Sequence, residues 1–409
     1  MINKAKEQLR EPLHKNSIYI MLASVFGTGF GFFFWMLAAK LYPNTDVGVA
    51  IAMTSAMTLI TLITRLGLDA SIIRFFPGSN KKDIYNTTMV ITTVLTVLLG
   101  IVFILGVDTF SPELSMLKTP LNAILFIVFM AAYSILTMMG YALMALRKSD
   151  VWFYQSLIVG SRILLLFPFV FLGAIGIFSA AGCAYLAAIL ILTYVLMRSG
   201  ISPALTVDKK FVRESFHFSA GNYLSGLFIN APAQILPLLT IGILGPEQTG
   251  FYYIAYSISQ LVYMIPLGVT SSLYVEGSHG ESLKKTALKS IKSIYILMIP
   301  ATFFLYIFGG TLLSLVGKDY SESGVMLLNI MVIGGLFSGA NSVYLTIRKI
   351  QKDMKELVIL SGLQSALVII GAYFLMKPFG ITGIGYAWLI SWIMQSAIIL
   401  CLARRNKWI

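Results

Sequence analysis

Apolar runs of about 20 residues recur along the whole chain, and each is long enough to cross a hydrocarbon core roughly 30 Å thick. A chain so built reads as a polytopic α-helical membrane protein. Composition agrees: 57% of the 409 residues are hydrophobic and 11% charged, against roughly 45–50% and about 25% in soluble domains. The run from Ser17 to Ala39 is too long for a signal-peptide core and reads as a first retained span. Cys183 and Cys401 lie inside apolar runs and read neither as disulfide partners nor as metal ligands.

Twelve spans are expected: 17–39, 47–73, 84–107, 121–146, 151–172, 177–197, 223–244, 251–275, 291–316, 325–347, 357–376 and 383–402. Turn signals separate them, among them YPN at 42–44, FPGSN at 76–80, GPEQTG at 245–250 and KPFG at 377–380. The net charge of +13 is less informative than its distribution. Both tails and every second loop carry the bulk of the Lys and Arg residues. The opposite side holds only Lys40, Lys118, Lys318 and Lys377, and Arg162 lies within a span. That bias predicts a multi-pass protein of the plasma (inner) membrane with both termini cytoplasmic. Nucleic acid is not an expected partner.

The longest loop, roughly 198–222, falls at mid-chain, and its DKKFVRESFHFSAGNY segment reads as an interfacial helix joining two halves. His217 in it reads as an interface residue. The halves echo each other: LYPNTDVGVAIAM (41–53) against LGPEQTGFYYIAY (244–256), LGLDAS (66–71) against LGVTSS (267–272), LRKSD (146–150) against IRKIQKD (347–353), and GIFSAAGCA (176–184) against GITGIGYA (380–387). The landmark pairs are Pro43–Pro246, Gly67–Gly268, Arg147–Arg348 and Gly176–Gly380. The expected organisation is a six-helix lobe over 1–198, a linker over 199–222 and a second six-helix lobe over 223–409. Six spans per half give a parallel repeat, and transporters built so bind substrate near the midplane between lobes.

With LYPNTDVG, TRLGLDASIIRF, ILGPEQTGFYYIA and the Gly-rich entries to spans six and twelve, the chain resembles the multidrug/oligosaccharidyl-lipid/polysaccharide exporter superfamily. More narrowly it is similar to the polysaccharide transporter branch, which contains oligosaccharide flippases. The resemblance implies a polyprenyl-(pyro)phosphate-linked oligosaccharide, moved from the cytoplasmic to the outer leaflet by alternating access for surface polysaccharide assembly. It also implies a monomer working beside glycan-assembly enzymes, with membrane lipid around it.

Depth decides which charges could act. Arg65 lies about 27 Å from the outer start of span two, at the inner edge of the core, and Asp69 and Arg74 lie farther in at the interface. Arg65 and Asp69 are four apart and are expected on one helix face, able to pair. Arg162 is about 17 Å deep, where snorkelling is difficult, so it must face a partner or a wet cavity. Arg162, perhaps with Arg65, is therefore a candidate phosphate contact, with satisfaction by neighbouring carbonyls as the bland alternative. Positions equivalent to Arg65 and Arg162 in the second half, near Pro266 and Ser365, carry no charge. Asn222, Asn230 and Gln234 in span seven and Asn341 in span ten are candidate sugar contacts, with interhelix hydrogen bonding as the alternative. Pro232 and Pro237 are expected to interrupt span seven, as broken helices line transport sites. Ala23, Gly27 and Gly31 of span one read as a close-packing stripe.

No catalytic residue, cofactor or metal site is expected. A multidrug and toxin extrusion exporter is the nearest rival, but Asp69, at the interface, is the only acidic residue within an expected span. An integral-membrane glycan-assembly enzyme is second, and the outer loops are short for one.

Overall fold

The computed structural model describes residues 12–78, 80–278 and 283–405, and among them there is no strand. The basic residues Lys4, Lys6, Arg10 and Lys407 and the side chain of His217 lie outside the described residues. Hydrocarbon offers no partner for a backbone amide, so a spanning segment must satisfy itself as helix. The chain accordingly forms α1 (Pro12–Leu41), α2 (Asn44–Thr64), α3 (Leu68–Phe75), α4 (Lys81–Leu105), α5 (Val107–Phe110), α6 (Pro120–Ala145), α7 (Ser149–Gly160) and α8 (Arg162–Leu165). There follow α9 (Gly173–Arg198), α10 (Lys209–Leu244), α11 (Pro246–Ser278), α12 (Leu283–Ser314), α13 (Lys318–Ile350), α14 (Met354–Phe379) and α15 (Thr382–Arg405). Polar residues close the ends: the Asn80 side chain accepts from Lys82 N, and Asp353 accepts from Glu356 N.

Eleven of these helices are long and apolar enough to cross a membrane. The expected fifth span is the missing one, because it is interrupted: α7 stops at Gly160, α8 runs only to Leu165, and a short 3-10 turn covers Val170–Leu172. Pro168 explains why the helix does not continue past α8, since it has no N–H and its ring crowds the Leu164 carbonyl four residues earlier. Span two is also divided. Leu66 (φ 49°) and Gly67 (φ 78°) leave the right-handed region between α2 and α3. The depth reckoned along a continuous helix therefore fails beyond Thr64, and Arg65 and Asp69 do not share a helix face. Span seven shows the reverse. α10 runs unbroken through Pro232 and Pro237 and already begins at Lys209, so the expected interfacial segment and the span are one helix. Two missing N–H donors five residues apart leave the ladder on either side intact, and neighbouring helices compensate within a membrane.

The chain divides into two compact units, Met1–Pro43 with Ala56–Tyr223, and Asn44–Ser55 with Leu224–Ile409. The first turns of α2 thus belong with the second half, unlike the expected division. Gly48 is the reason: a Cβ there would lie 1.7 Å from the Pro246 carbonyl oxygen. Asn44 Nδ2 also donates to Asp319 Oδ2 at 3.3 Å. In the first unit α6 packs against α3, α4 and α9, and α1 against α7. In the second, α13 is the central helix and packs against α11, α12 and α15.

The internal repeat is visible in matched left-handed residues. Arg147 (φ 56°) ends the helix before α7, and Lys352 (φ 60°) ends the one before α14. After each, an amide reaches back five residues, Lys148 N to Leu143 O at 2.9 Å and Asp353 N to Arg348 O at 3.0 Å. Gly173 (φ 58°, ψ −137°) and Gly380 (φ 56°, ψ −145°) match before α9 and α15. Arg147 therefore corresponds to Lys352 rather than Arg348, and Gly173 rather than Gly176 corresponds to Gly380. Gly268 lies within α11, so the break at Gly67 has no counterpart in the second unit.

The break at Gly67 is held tightly. A Cβ there would lie 2.5 Å from Ser219 Cβ, and the backbone is left-handed. Gly67→Ala should therefore lower stability by about 1–3 kcal/mol. Gly268→Ala, with open space around its Cβ, should be neutral or gain up to about 1 kcal/mol. Thermal unfolding of the two variants in detergent, side by side, checks the contrast.

Candidate functional site

Among the sequence-derived candidates, Arg162 has the surroundings of a site. It is the first residue of α8, immediately after the break at Gly160–Ser161. Pro168, crowding the Leu164 carbonyl, prevents the helix from continuing past α8, and the Leu166 carbonyl beyond it is not left bare. Tyr42 Oη donates to Leu166 O at 2.7 Å in a buried contact. Gly160 lets α7 close onto α1, since a Cβ there would lie 2.5 Å from Phe30 Cδ2. These contacts fix where the Arg162 side chain starts.

The guanidinium donates one bond, Nη1 to Tyr185 Oη at 3.2 Å, and sits 4.5 Å from the centre of the Phe34 ring. Its Nε is buried with no hydrogen-bond partner. Among the described residues no carboxylate pairs with it. A guanidinium has five N–H donors, so one phenol and one aromatic face leave its charge largely uncompensated. Arg162 lines a cavity of about 240 Å³ inside the first unit, with Tyr133, Thr137, Gln155 and Ser156 among its polar walls. Gln155 is 8% exposed; its Nε2 donates to Leu136 O at 3.5 Å, and its buried Oε1 has no partner. The Tyr133 and Tyr185 rings lie 5.3 Å apart, and both line the cavity. A planar cation with spare donors, ringed by hydroxyls and an amide, suits an oxyanion such as a phosphate.

The other candidates are distributed elsewhere. Arg65 caps α2 at the Gly67 break, half-buried, with its Nε buried and unpartnered, and it does not line the Arg162 cavity. Instead of pairing with Arg65, Asp69 accepts from the next amide, Ala70 N, at 2.9 Å. Tyr141 and Tyr223 both lie within Coulombic reach of Arg65 and Asp69. Tyr223 also donates to the Ile63 carbonyl freed by that break, at 2.7 Å. Asn222, Asn230 and Gln234 fall on one stripe of α10 at four-residue spacing. Asn222 and Asn230 are exposed, and Asn230 Nδ2 bonds its own helix at Gly226 O, 2.8 Å. Asn341 is buried in the second unit, where its Nδ2 donates to Gln395 Oε1 at 3.2 Å and its Oδ1 accepts from Ser396 Oγ at 3.0 Å. That is the interhelix bonding alternative realised.

Tyr133, Gln155 and Tyr185 are cavity residues that the sequence did not single out. Gln155 carried a signal, standing two helical turns before Arg162. Tyr185 was hidden in a Gly- and Ala-rich run that reads as packing. Replacing Tyr185 by Phe removes the one acceptor of the Arg162 guanidinium. The variant should lose about 0.6–1.7 kcal/mol of stability in thermal unfolding, while Tyr133→Phe, which breaks no bond to Arg162, should lose less.

Comparison with known proteins sets this geometry in a family. The family described as polysaccharide biosynthesis protein matches residues 13–275. No curated protein sequence matches the chain. Among solved structures, the lipid II flippase MurJ in an inward closed conformation superposes with a TM-score of 0.76 at 13% identity, covering 95% of this chain and 87% of that one. An inward-facing multidrug resistance MATE family transporter of the MOP superfamily gives 0.71 at 15% identity, covering 95% and 98%. A MOP superfamily transporter from Pyrococcus furiosus, described as having a binding pocket of reverse polarity, gives 0.67 at 14% identity, covering 97% and 95%. At such identities the likeness is one of fold.

Proposed function

The chain belongs to the polysaccharide biosynthesis protein family, and from that premise we propose that it flips a polyprenyl-(pyro)phosphate-linked oligosaccharide across the membrane. Its fold is that of the MOP superfamily transporters. The observation that carries the substrate class is the Arg162 guanidinium, which faces a cavity with one phenolic acceptor and no carboxylate. In this reading Arg162 takes the (pyro)phosphate, and the Tyr133, Thr137 and Gln155 side chains take oxygens next to it. Arg65, at the far break of the same unit, is a second phosphate contact. Asn222, Asn230 and Gln234 then offer amides to the glycan along one stripe of α10. Asn341 is the weakest of the proposed contacts, because its amide is already bonded.

The flippase moves its substrate from the cytoplasmic leaflet by alternating access and works in the plasma membrane beside glycan-assembly enzymes. Cation-coupled drug export, the rival, calls for a carboxylate free to titrate inside the membrane. Asp69 spends one oxygen on the Ala70 amide at the first turn of α3.

The test is flux of a fluorescent lipid-linked oligosaccharide in proteoliposomes, run beside dye efflux. A hydrogen bond to a charged group contributes about 1.5–3 kcal/mol, so Arg162→Gln should slow flipping about 10- to 150-fold. Arg162→Lys should recover part of the rate, and the Arg65→Gln, Arg162→Gln pair should abolish it. Parent-rate flipping by a folded double variant, or dye efflux in place of oligosaccharide flux, would sink the proposal.

A further inference from the structure

Each unit has a groove between its third, fourth and sixth long helices, and the repeat makes the two grooves equivalent. In the first unit the groove lies between α4, α6 and α9, with a volume of about 430 Å³. In the second it lies between α12, α13 and α15, with about 350 Å³. At an offset of 202 residues, Asn86, Met89 and Thr93 fall on Leu288, Ile291 and Tyr295. The left-handed pair Arg147 and Lys352 sets 205, which carries Ile135 and Met139 onto Ala340 and Tyr344. The pair Gly173 and Gly380 sets 207, which carries Ile189 and Thr193 onto Ser396 and Leu400. Every one of these residues lines its groove, and the landmarks that set the offsets of 205 and 207 lie outside it.

The grooves differ in what covers them. In the first unit the chain's own segment after α9 forms a wall, contributing Pro203, Ala204 and Leu205. Asn86 pins this strap from both sides: Nδ2 donates to Ser202 O at 3.2 Å, and Oδ1 accepts from Ala204 N at 3.0 Å. Thr87 Oγ1 accepts from Asp208 N at 2.8 Å. In the second unit the pinning residues are replaced. Asn86 becomes Leu288, which is 61% exposed, and Thr87 becomes Lys289. Lys284 lines the mouth, and Lys285, Lys289 and Lys292 stand exposed on the same end of α12. The Glu356 carboxylate is engaged by Arg348 at 3.2 Å and by Tyr344 Oη, so it does not offset these lysines.

We propose that the groove between α12, α13 and α15 is a binding site for an anionic phospholipid. One acyl chain lies along Leu288, Ile291, Ala340 and Leu400, in the place where the strap lies in the first unit. The headgroup phosphate sits on Lys284 with Lys285 and Lys289. Basic residues at the mouth of an interhelix groove attract acidic headgroups, and lysine stems pack along the acyl chain while the ammonium stays at the surface. The lipid is thus the non-covalent counterpart of a peptide strap, and its charge preference is set by Lys285 and Lys289, where the first unit has Asp83 and Thr87, beside Lys284, which matches Lys82.

The experiment uses the full chain in phosphatidylcholine nanodiscs doped with phosphatidylglycerol bearing a diazirine on one acyl chain. Photoadducts mapped by mass spectrometry should fall on the 287–291, 340–344 and 396–400 segments and not on 86–93. Leu288→Trp should remove them, and each Lys→Gln change at 284, 285 or 289 should weaken competition by unlabelled phosphatidylglycerol about fivefold. Asn86→Leu, which frees the strap, should bring new adducts to Met89 and Ile135, and it decides the matter should Leu288→Trp fail to fold. Adducts spread evenly over the apolar surface, or equal labelling by a phosphatidylcholine probe, would overturn the proposal. So would a rise in labelling on deleting residues 406–409, which would make the chain's own end the occupant.

Discussion

A backbone amide in hydrocarbon has only protein to bond to, and each departure from helix in this chain is bounded by that requirement. Two interruptions stand out among the described spans, at 65–67 and at 161–172, and each is repaired by a tyrosine from another segment. Tyr223 Oη takes the Ile63 carbonyl at the first, and Tyr42 Oη takes the Leu166 carbonyl at the second. An unsatisfied group there would cost several kcal/mol, so these phenols are conditions for the breaks rather than ornaments on them. An arginine stands at each break: Arg65 opens the first, and Arg162 follows Ser161 in the second.

The two units use one plan with different emphasis. In the first, helices are interrupted, arginines lie at the interruptions, and a polar cavity forms beside one of them. In the second, α13 runs unbroken from Lys318 to Ile350, and its buried amide at Asn341 is consumed by Gln395 and Ser396. The charge in that unit gathers at helix ends, as in the Arg348–Glu356 pair and the lysines of α12. Deep cations and carboxylates are thus kept apart: the arginine that meets a cavity has no acid beside it, while the arginine with acids sits at the end of its helix.

Much of this was legible in the sequence, and what was missed has physical causes. Hydropathy located the spans because burial of a whole apolar run tolerates an error of a few residues at either end. That Arg162 must face a partner or a wet cavity was also legible, since a charge in the middle of an apolar run has few places to go. Breaks were not. Pro232 and Pro237 read as an interruption and gave a continuous helix, while Pro168, unremarked, helped end one. A proline removes one donor wherever it stands, and whether the helix then stops depends on whether a side chain such as Tyr42 is positioned to take the carbonyl that is freed. That is a tertiary fact, as are the aromatic wall of Tyr133 and Tyr185 and the strap held by Asn86.

The drift of the repeat explains why its landmarks misled while the repeat itself held. Between the left-handed helix ends the offset is 205, and before the last helices it is 207. Turns can absorb single-residue insertions, because they lie where the chain is solvated and need no register with a neighbour. Helix faces cannot: one residue rotates every following side chain by about 100°. Single-residue shifts therefore collect between helices, while α13 exceeds α6 by seven residues, about two whole turns, which keeps the face in register. Short motifs such as Arg-Lys straddle helix ends, where the shifts fall, so their sequence likeness pairs the wrong residues. Matching positive-φ residues instead recovers the faces, and it is on those faces that a peptide strap in one unit and a row of lysines in the other come into register.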